Sequence, residues 1–124
     1  MMLDEATILI VDDEPILQEV CALWLKLGVV LIASNGLEAL VLIEERKVDM
    51  LITDIHMPKM DGMVLIKTIR ERGFSIPGII SMSAYTDVDL AELSNLGVKK
   101  FLEKPFTPEI LLEAVTTSLC EGAR

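Results

Sequence analysis

Five residues carry most of the chemistry open to this chain: Asp12 and Asp13, Asp54, Ser83 and Lys104. Each stands at or just past the end of a short apolar run, and the runs are far apart in sequence. Brought together, their ends would place three carboxylates, a hydroxyl and an ammonium in one crevice. Two carboxylates about 4 Å apart repel by on the order of 4 kcal/mol at an effective dielectric near 20, so three of them imply raised pKa values or a bound cation. Oxygen ligands with room for waters and a phosphate suit Mg2+, and the chain does not offer the Cys/His set that zinc favours. With Mg2+ held by one or both of Asp12 and Asp13, Asp54 is left to ligate the ion and to attack a phosphorus atom in line. Ser83 and Lys104 can then meet the phosphoryl oxygens as neutral and charged donors.

Singly, each residue has a plainer reading. Asp12, Asp13 or Glu14 can cap a helix opening at Pro15, Asp54 can start a turn, Ser83 can sit in one, and Lys104 can be a surface lysine. A cap requires only one acid, however, and independent caps and turns would not place these types at successive strand ends.

The elements that must do the positioning are legible as alternating runs. Residues 7–11 form a β-branched apolar strand that stops at Asp12-Asp13-Glu14, and Pro15 suits the first turn of a helix. Ile16, Val20, Leu23, Trp24 and Leu27 recur at helical spacing before Gly28. A second strand over 29–33 closes at Ser34-Asn35-Gly36, where Asn35 and Glu38 form a capping pair for a helix through Leu37, Leu40 and Val41. The third strand, 50–53, leads into Asp54. Val64, Leu65, Ile66 and Ile69 make the apolar face of a helix ended by Gly73. The fourth strand, 78–82, halts at Ser83-Ala84, and Thr86 with Asp89 can cap a helix carrying Leu90, Leu93 and Leu96. A brief fifth strand, 100–102, precedes Glu103-Lys104-Pro105-Phe106. Thr107-Pro108-Glu109 opens the last helix, with Ile110, Leu111, Ala114, Val115 and Leu119 inward. Five strands alternating with five helices describe an α/β domain, and strands apolar at consecutive positions are expected to be buried on both faces of a parallel sheet. Ligands of such sheets gather outside the carboxyl ends of the strands, where the five chemical residues lie.

Composition narrows the rest. The 124 residues fit one domain, and charges interrupt every apolar run short of the ~18 to 20 residues of a membrane span. Met1-Met2-Leu3-Asp4-Glu5 is acidic at once, unlike a secretory leader, so a cytoplasmic location is expected. Cys21 and Cys120 read as small core residues rather than a disulfide. With a net charge of −9 and no Lys/Arg stripe, no direct nucleic-acid contact is expected; a cation or a basic protein surface fits better.

Four stretches resemble one family: Val11-Asp12-Asp13-Glu14-Pro15, Asp54-Ile55-His56-Met57-Pro58-Lys59-Met60-Asp61-Gly62, Met82-Ser83-Ala84 and Phe101-Leu102-Glu103-Lys104-Pro105-Phe106. In this order they are similar to the receiver domain of two-component response regulators, over essentially the whole chain. The resemblance implies a flavodoxin-like (βα)5 fold with a five-stranded parallel sheet in the order 2-1-3-4-5, forming a single receiver domain over 1–124. It implies Asp54 as the phosphoacceptor, a Mg2+ cofactor on Asp12, Asp13 and Asp54 with the backbone carbonyl of His56, and Ser83 and Lys104 engaging the phosphoryl group. It also implies a cis Lys104–Pro105 bond, a switch made by Ser83 and Phe101, and tuning of the phosphoryl lifetime by His56 and Tyr85. Such a chain is a signalling phosphoacceptor that promotes its own phosphorylation and dephosphorylation, not an enzyme acting on a separate substrate. Its partners would be a sensor histidine kinase or a histidine phosphotransfer protein, then a downstream protein, an attached output domain or a second copy docked as a homodimer through the fourth helix, fifth strand and fifth helix, with no contact with membrane. The sequence departs from the family in being shorter between Pro15 and Ala33, which trims the end of the first helix and the second strand. A phosphatase with an aspartyl nucleophile is the alternative of another class, but it would carry Asp-x-Asp on its first strand, whereas Asp12 and Asp13 are adjacent. A flavin-binding module of the same fold would need a hydroxyl-rich loop there.

Overall fold

The computed structural model describes residues 5–25, 28–85 and 88–122. Strands and helices alternate as β1 (Thr7–Val11), α1 (Pro15–Trp24), β2 (Val29–Ala33), α2 (Gly36–Glu45), β3 (Met50–Asp54), α3 (Gly62–Glu71), β4 (Gly78–Ser83), α4 (Leu90–Asn95), β5 (Lys100–Glu103) and α5 (Pro108–Gly122). All pairings are parallel and the sheet order is β2-β1-β3-β4-β5, the expected flavodoxin-like topology. Alternation of side chains along each strand divides the core. Leu9, Val11, Leu51 and Ile79 pack with Leu65, Ile66 and Ile69 of α3 and Ala39, Leu40 and Ile43 of α2. Ile8, Ile10, Ile52, Ile80 and Met82 pack with Cys21 of α1 and Leu111, Ala114 and Val115 of α5.

Burial on both faces holds for β1, β3 and β4 but not for the edge strands. Val29 and Ile32 on β2 are 48% and 41% exposed, and β5 exposes Lys100 and Glu103. An edge strand has a neighbour on one side only, so an apolar run does not guarantee cover. Despite the shortened segment before it, β2 keeps all five residues.

The inward faces of α3, α4 and α5 are largely as expected, with Leu65, Ile66, Ile69, Leu93, Leu111, Ala114, Val115 and Leu119 buried, whereas those of α1 and α2 depart from the sequence reading. On α1, Ile16 and Leu23 point to solvent; Cys21 and Leu25 are buried, with Leu17 and Trp24 packed beside them. On α2, Leu37 and Val41 are exposed, and Ala39 and Ile43 join Leu40 inside. Val64, Leu90 and Ile110 are likewise exposed at the starts of α3, α4 and α5. Helices this rich in apolar residues offer two overlapping stripes at 3.6-residue spacing, and only the docking angle chooses between them. Thr86, Leu27 and the side chain of Cys120 lie outside the described residues; the cap of α4 is Asp89, whose carboxylate accepts from Glu92 N at 3.0 Å. Cys21 is wholly buried, and burial, with Asp12 nearby, pushes its thiol up to about 11, so it stays a protonated core residue.

The caps were read correctly at α2 and α5. Asn35 Oδ1 accepts from Glu38 N at 3.0 Å while the Glu38 carboxylate accepts from Asn35 Nδ2 and Ser34 N, and Thr107 Oγ1 accepts from Ile110 N at 3.2 Å. Gly73 and Gly97 end α3 and α4 at φ 73° and 86°. Replacing Asn35 by alanine is expected to cost about 1 kcal/mol, read as a lower urea midpoint with an unchanged slope; an unchanged midpoint would show that the reciprocal cap carries no stability.

Candidate functional site

Parallel pairing delivers the ends of β1, β3, β4 and β5 to one edge of the sheet. Asp12 continues β1, its N–H donating to Ala33 O at 3.1 Å, and Asp54 closes β3. Lys104 follows β5, its N–H donating to Ser83 O at 2.8 Å, and the Lys104–Pro105 bond is cis as expected. From there the ammonium Nζ donates to Asp12 Oδ2 at 2.7 Å, to Asp54 Oδ2 at 3.0 Å and to Glu14 Oε1 at 3.3 Å. All three of its protons therefore have a carboxylate partner.

The remaining oxygens are held by backbone. Asp12 Oδ1 accepts from Glu14 N at 2.9 Å, and Asp54 Oδ1 from His56 N at 3.3 Å. Asp12 and Asp54 are buried, whereas Asp13 and Glu14 are exposed. Burial raises Asp12 from its ordinary 3.8, against the hydrogen bonds from Lys104 and Glu14 N that lower it. Burial alone would lower Lys104, but its hydrogen bonds to Asp12 and Asp54 and their charges outweigh that and raise it, so it remains an ammonium.

The loop after β3 is pinned tightly. Ile55 N donates to Met82 O and Gly62 N to Ile55 O at 2.8 Å. A Cβ on Gly62 would overlap the Asp54 carbonyl oxygen, so glycine is required where α3 begins against the end of β3. Lys59 takes the left-handed conformation at φ 68°, which turns the chain so that Met60 O can accept from Gly36 N. Asp61 caps α3 through Val64 N at 2.9 Å.

A cavity of about 230 Å³ opens over this arrangement, lined by Asp13, Glu14, Asp54, His56, Ala84, Tyr85 and Lys104. The His56 and Tyr85 rings meet edge to face at its wall, centroids 4.7 Å apart at 74°. Asp12, Asp13, Asp54 and Lys104 are thus brought together as the sequence predicted. Ser83 is less directly placed: it is wholly buried, is absent from the cavity lining, and its Oγ accepts from Tyr85 N at 3.0 Å. Phe101 is half-buried against the core face under α2 and α3, beside Ser81 in the strand register.

Glu14 is the residue that sequence reasoning missed. Its position suggested a cap, and its backbone is indeed the N-cap of α1, but its side chain makes no capping bond and turns to Lys104 instead. The signal was the third acid in Asp12-Asp13-Glu14, more charge than a cap uses. One carboxylate oxygen each from Asp12, Asp13, Glu14 and Asp54 can be chosen so that all lie within 4.8 Å of one another. An all-oxygen set of this density fits a hard divalent cation.

Removing Lys104 would leave Asp12 and Asp54 buried beside each other. Lys104→Met is expected to destabilise the chain by about 3 kcal/mol in buffer with EDTA at neutral pH. Because the folded pKa of Asp12 lies above its unfolded value, folding binds protons in the acid range. Stability linked to Asp12 is therefore fully present below 3.8 and lost as pH rises through the folded value. The deficit of the variant should thus shrink as pH is lowered from 7 towards 4. Urea midpoints along that series check it, and a deficit that stays constant or grows would contradict the charge argument.

Residues 8–116 match the family described as response regulator receiver domain. The chain is 31% identical over 114 residues to the probable C4-dicarboxylate response regulator DctR of Priestia megaterium, covering 88% of this chain and 50% of that protein. It is 39% identical over 111 residues to the response regulator GtcR of Aneurinibacillus migulanus, covering 88% and 44%. Among solved structures, the CheY-like receiver domain protein from Methanospirillum hungatei JF-1 superposes with a TM-score of 0.85 at 27% identity, over 95% of this chain and 96% of that one. The chain spans half or less of the length of these two curated relatives.

Proposed function

Because this chain belongs to the response regulator receiver domain family, we propose that it is a phosphorylation switch whose acceptor is Asp54. The observation that carries this is the setting of Asp54: a buried carboxylate reaching a cavity, bonded by Lys104, with three further acids clustered around it. A phosphohistidine of a sensor kinase or phosphotransfer protein, or a small phosphodonor, presents phosphorus to Asp54. An Asp54 oxygen forms the new O–P bond as the bond to the donor nitrogen or oxygen breaks, and the donor leaves with that electron pair. Asp12, Asp13 and Asp54 with the His56 carbonyl would hold Mg2+, which when bound neutralises charge on the transferring group. Lys104 turns its donors from carboxylate to phosphoryl oxygens. An apolar groove of about 490 Å³ lined by Ile16, Val20, Trp24 and Phe106 adjoins the acids through Glu14 and Lys104, which supports donor docking along α1.

The output follows from Ser83. Its hydroxyl is engaged with Tyr85 N, so reaching an aspartyl phosphate means opening that turn and drawing the segment after β4 inward. Phe101 then rotates into the space released, coupling the site to the face built by α4, β5 and α5. That face now ties to α3 through Arg70 Nε donating to Leu96 O at 2.8 Å and Lys67 pairing with Glu92 at 2.7 Å. Moving the equilibrium from mostly one state to mostly the other takes about 5.5 kcal/mol of preference, which several charge-assisted bonds to a phosphoryl group can supply. His56 and Tyr85, packed edge to face at the cavity wall, limit the approach of water and so set the phosphoryl lifetime. In this reading residues 1–124 are one cytoplasmic receiver unit that catalyses only its own modification. It signals to a downstream protein or an attached output domain, or dimerises through the α4-β5-α5 face, and touches neither nucleic acid nor membrane itself. The greater length of the curated relatives supports an attached output, and no described helix is long and apolar enough to cross a membrane.

Incubation with acetyl phosphate and Mg2+, followed by intact mass, should add one phosphoryl group; Asp54→Asn or EDTA should abolish it. Addition that persists in Asp54→Asn would reject Asp54 as the acceptor. With the phosphorylated chain in hand, exchanging His56 and Tyr85 together for alanine is expected to speed loss of the group severalfold, and an equal or slower loss would reject the water-limiting role.

A further inference from the structure

Glu14 does work that neither the cap position nor the phosphoacceptor chemistry assigns to it. We propose that Glu14 is a positioning residue for Lys104: the carboxylate to which the ammonium is handed when a divalent cation claims the oxygens of Asp12 and Asp54. The inference rests on the metal-assisted reading given above and concerns how one side chain regulates it.

The argument begins with the division of the three Lys104 bonds. Two go to buried acids that belong, with Asp13 and Glu14, to the oxygen set suited to a cation, and of the three acids that Lys104 touches only Glu14 is exposed. An ammonium and a divalent ion cannot both take the Asp12 and Asp54 oxygens at full strength, so cation and Lys104 compete for them. Lys104 stays an ammonium at neutral pH whether or not it keeps these two bonds, since a lysine side chain is protonated well above pH 7. An ammonium displaced from two carboxylates while still nearly buried is stabilised by a counter-charge that stays with it. The third bond supplies it, since Glu14 is within 3.3 Å and its side chain, 65% exposed, has the freedom to follow the lysine outward that Asp12 and Asp54 lack.

Local structure excludes the ordinary explanations. Glu14 does not cap α1 with its side chain, and the helix is already served by Pro15 in its first turn and by the Gln18 N–H donating to Glu14 O. Nor is its carboxylate one of the scattered surface acids, for it borders both the apolar groove along α1 and the acidic cavity, with Lys104 and Ala84 common to the two. It therefore stands on the side towards which Lys104 can move without leaving the site.

The distinguishing consequence is that Glu14 acts through Lys104 and not on the cation alone. Were it only a charge near the ion, its removal would weaken Mg2+ binding equally whether or not Lys104 is present. Were it the hand-off partner, its effect would vanish with the lysine. The test is a double-mutant cycle of Mg2+ affinity, measured by calorimetry and by the fluorescence of Trp24, in the intact chain, Glu14→Gln, Lys104→Met and the double variant. Glu14→Gln is expected to weaken Mg2+ binding about threefold, the scale of an exposed ion pair, Lys104→Met to tighten it, and Glu14→Gln to have no effect in the Lys104→Met background. Should Lys104→Met not fold, Lys104→Gln, which keeps donors without the charge, replaces it. Additive effects, or no effect of Glu14→Gln in the intact chain, would overturn the inference and leave the metal site standing. A parent chain that binds no Mg2+ would overturn both.

Discussion

The Lys104 ammonium is the constraint on which the site depends. It reaches back across the sheet edge from the end of β5 and holds carboxylates that leave β1 and β3. Those acids are buried, and each would be costly there with no opposite charge beside it. The pairings β1–β3, β3–β4 and β4–β5 are what allow one side chain to span them, and Lys104 N on Ser83 O fixes where the reach begins. A slip of one residue in any of these strands would turn a carboxylate or the ammonium to the other face of the sheet. The site thus constrains the register as strongly as the register creates the site.

The central position of β3 explains how Asp54 can be buried and still reach the cavity. Its strand is covered on both faces, and the chain after it is held by Ile55 N on Met82 O and by the close approach of Gly62. Lys59 takes its left-handed turn within the same segment. Such a carboxylate cannot relax away from its neighbours to relieve repulsion, so the charge must be answered by a donor or a cation. Asp13 and Glu14 differ in this respect. Both are exposed, so their negative charge is screened and their position adjustable.

What could be read from the residues, and what could not, follows from the same physics. Strand ends are a one-dimensional property: an apolar run that stops at an acid, a serine or a lysine places that residue at the sheet edge whatever the helices do. Asp12, Asp13, Asp54, Ser83 and Lys104 were legible for that reason, and so was the parallel α/β class. The capping pair Asn35–Glu38 was legible because its hydrogen bonds are local. The faces of α1 and α2 were not, although those of α3 and α5 were. Ile16 and Leu23 compete with Cys21 and Leu25 for the inward side of α1, and Leu37 and Val41 with Ala39 and Ile43 on α2; the sheet decides, and it is not local. Side-chain direction was similarly hidden at Glu14, which leaves its own helix for Lys104, and at Ser83, which turns to Tyr85 N. Edge exposure of β2 follows from the strand order, which the family resemblance implied but the apolar run over 29–33 by itself did not.

These two hidden orientations have a common meaning for how a charge change would spread. The acids and Lys104 are already in mutual contact, so an added phosphoryl group meets bonds that must be exchanged rather than space to be filled. On one side the contacts already in place run outward from Lys104 to Glu14, at the border of the apolar groove along α1. On the other they run from Lys104 N on Ser83 O into β4 and, by register, to the strand that carries Phe101. The outward branch is exposed and therefore cheap to rearrange. The inward branch is buried and packed, where a side chain has discrete alternatives rather than a continuum of small adjustments. If Asp54 takes a phosphoryl group as proposed, the change of charge would be divided between an exposed, adjustable contact at Glu14 and a packed one at Ser83, and only the packed one has discrete alternatives in which a state could be held.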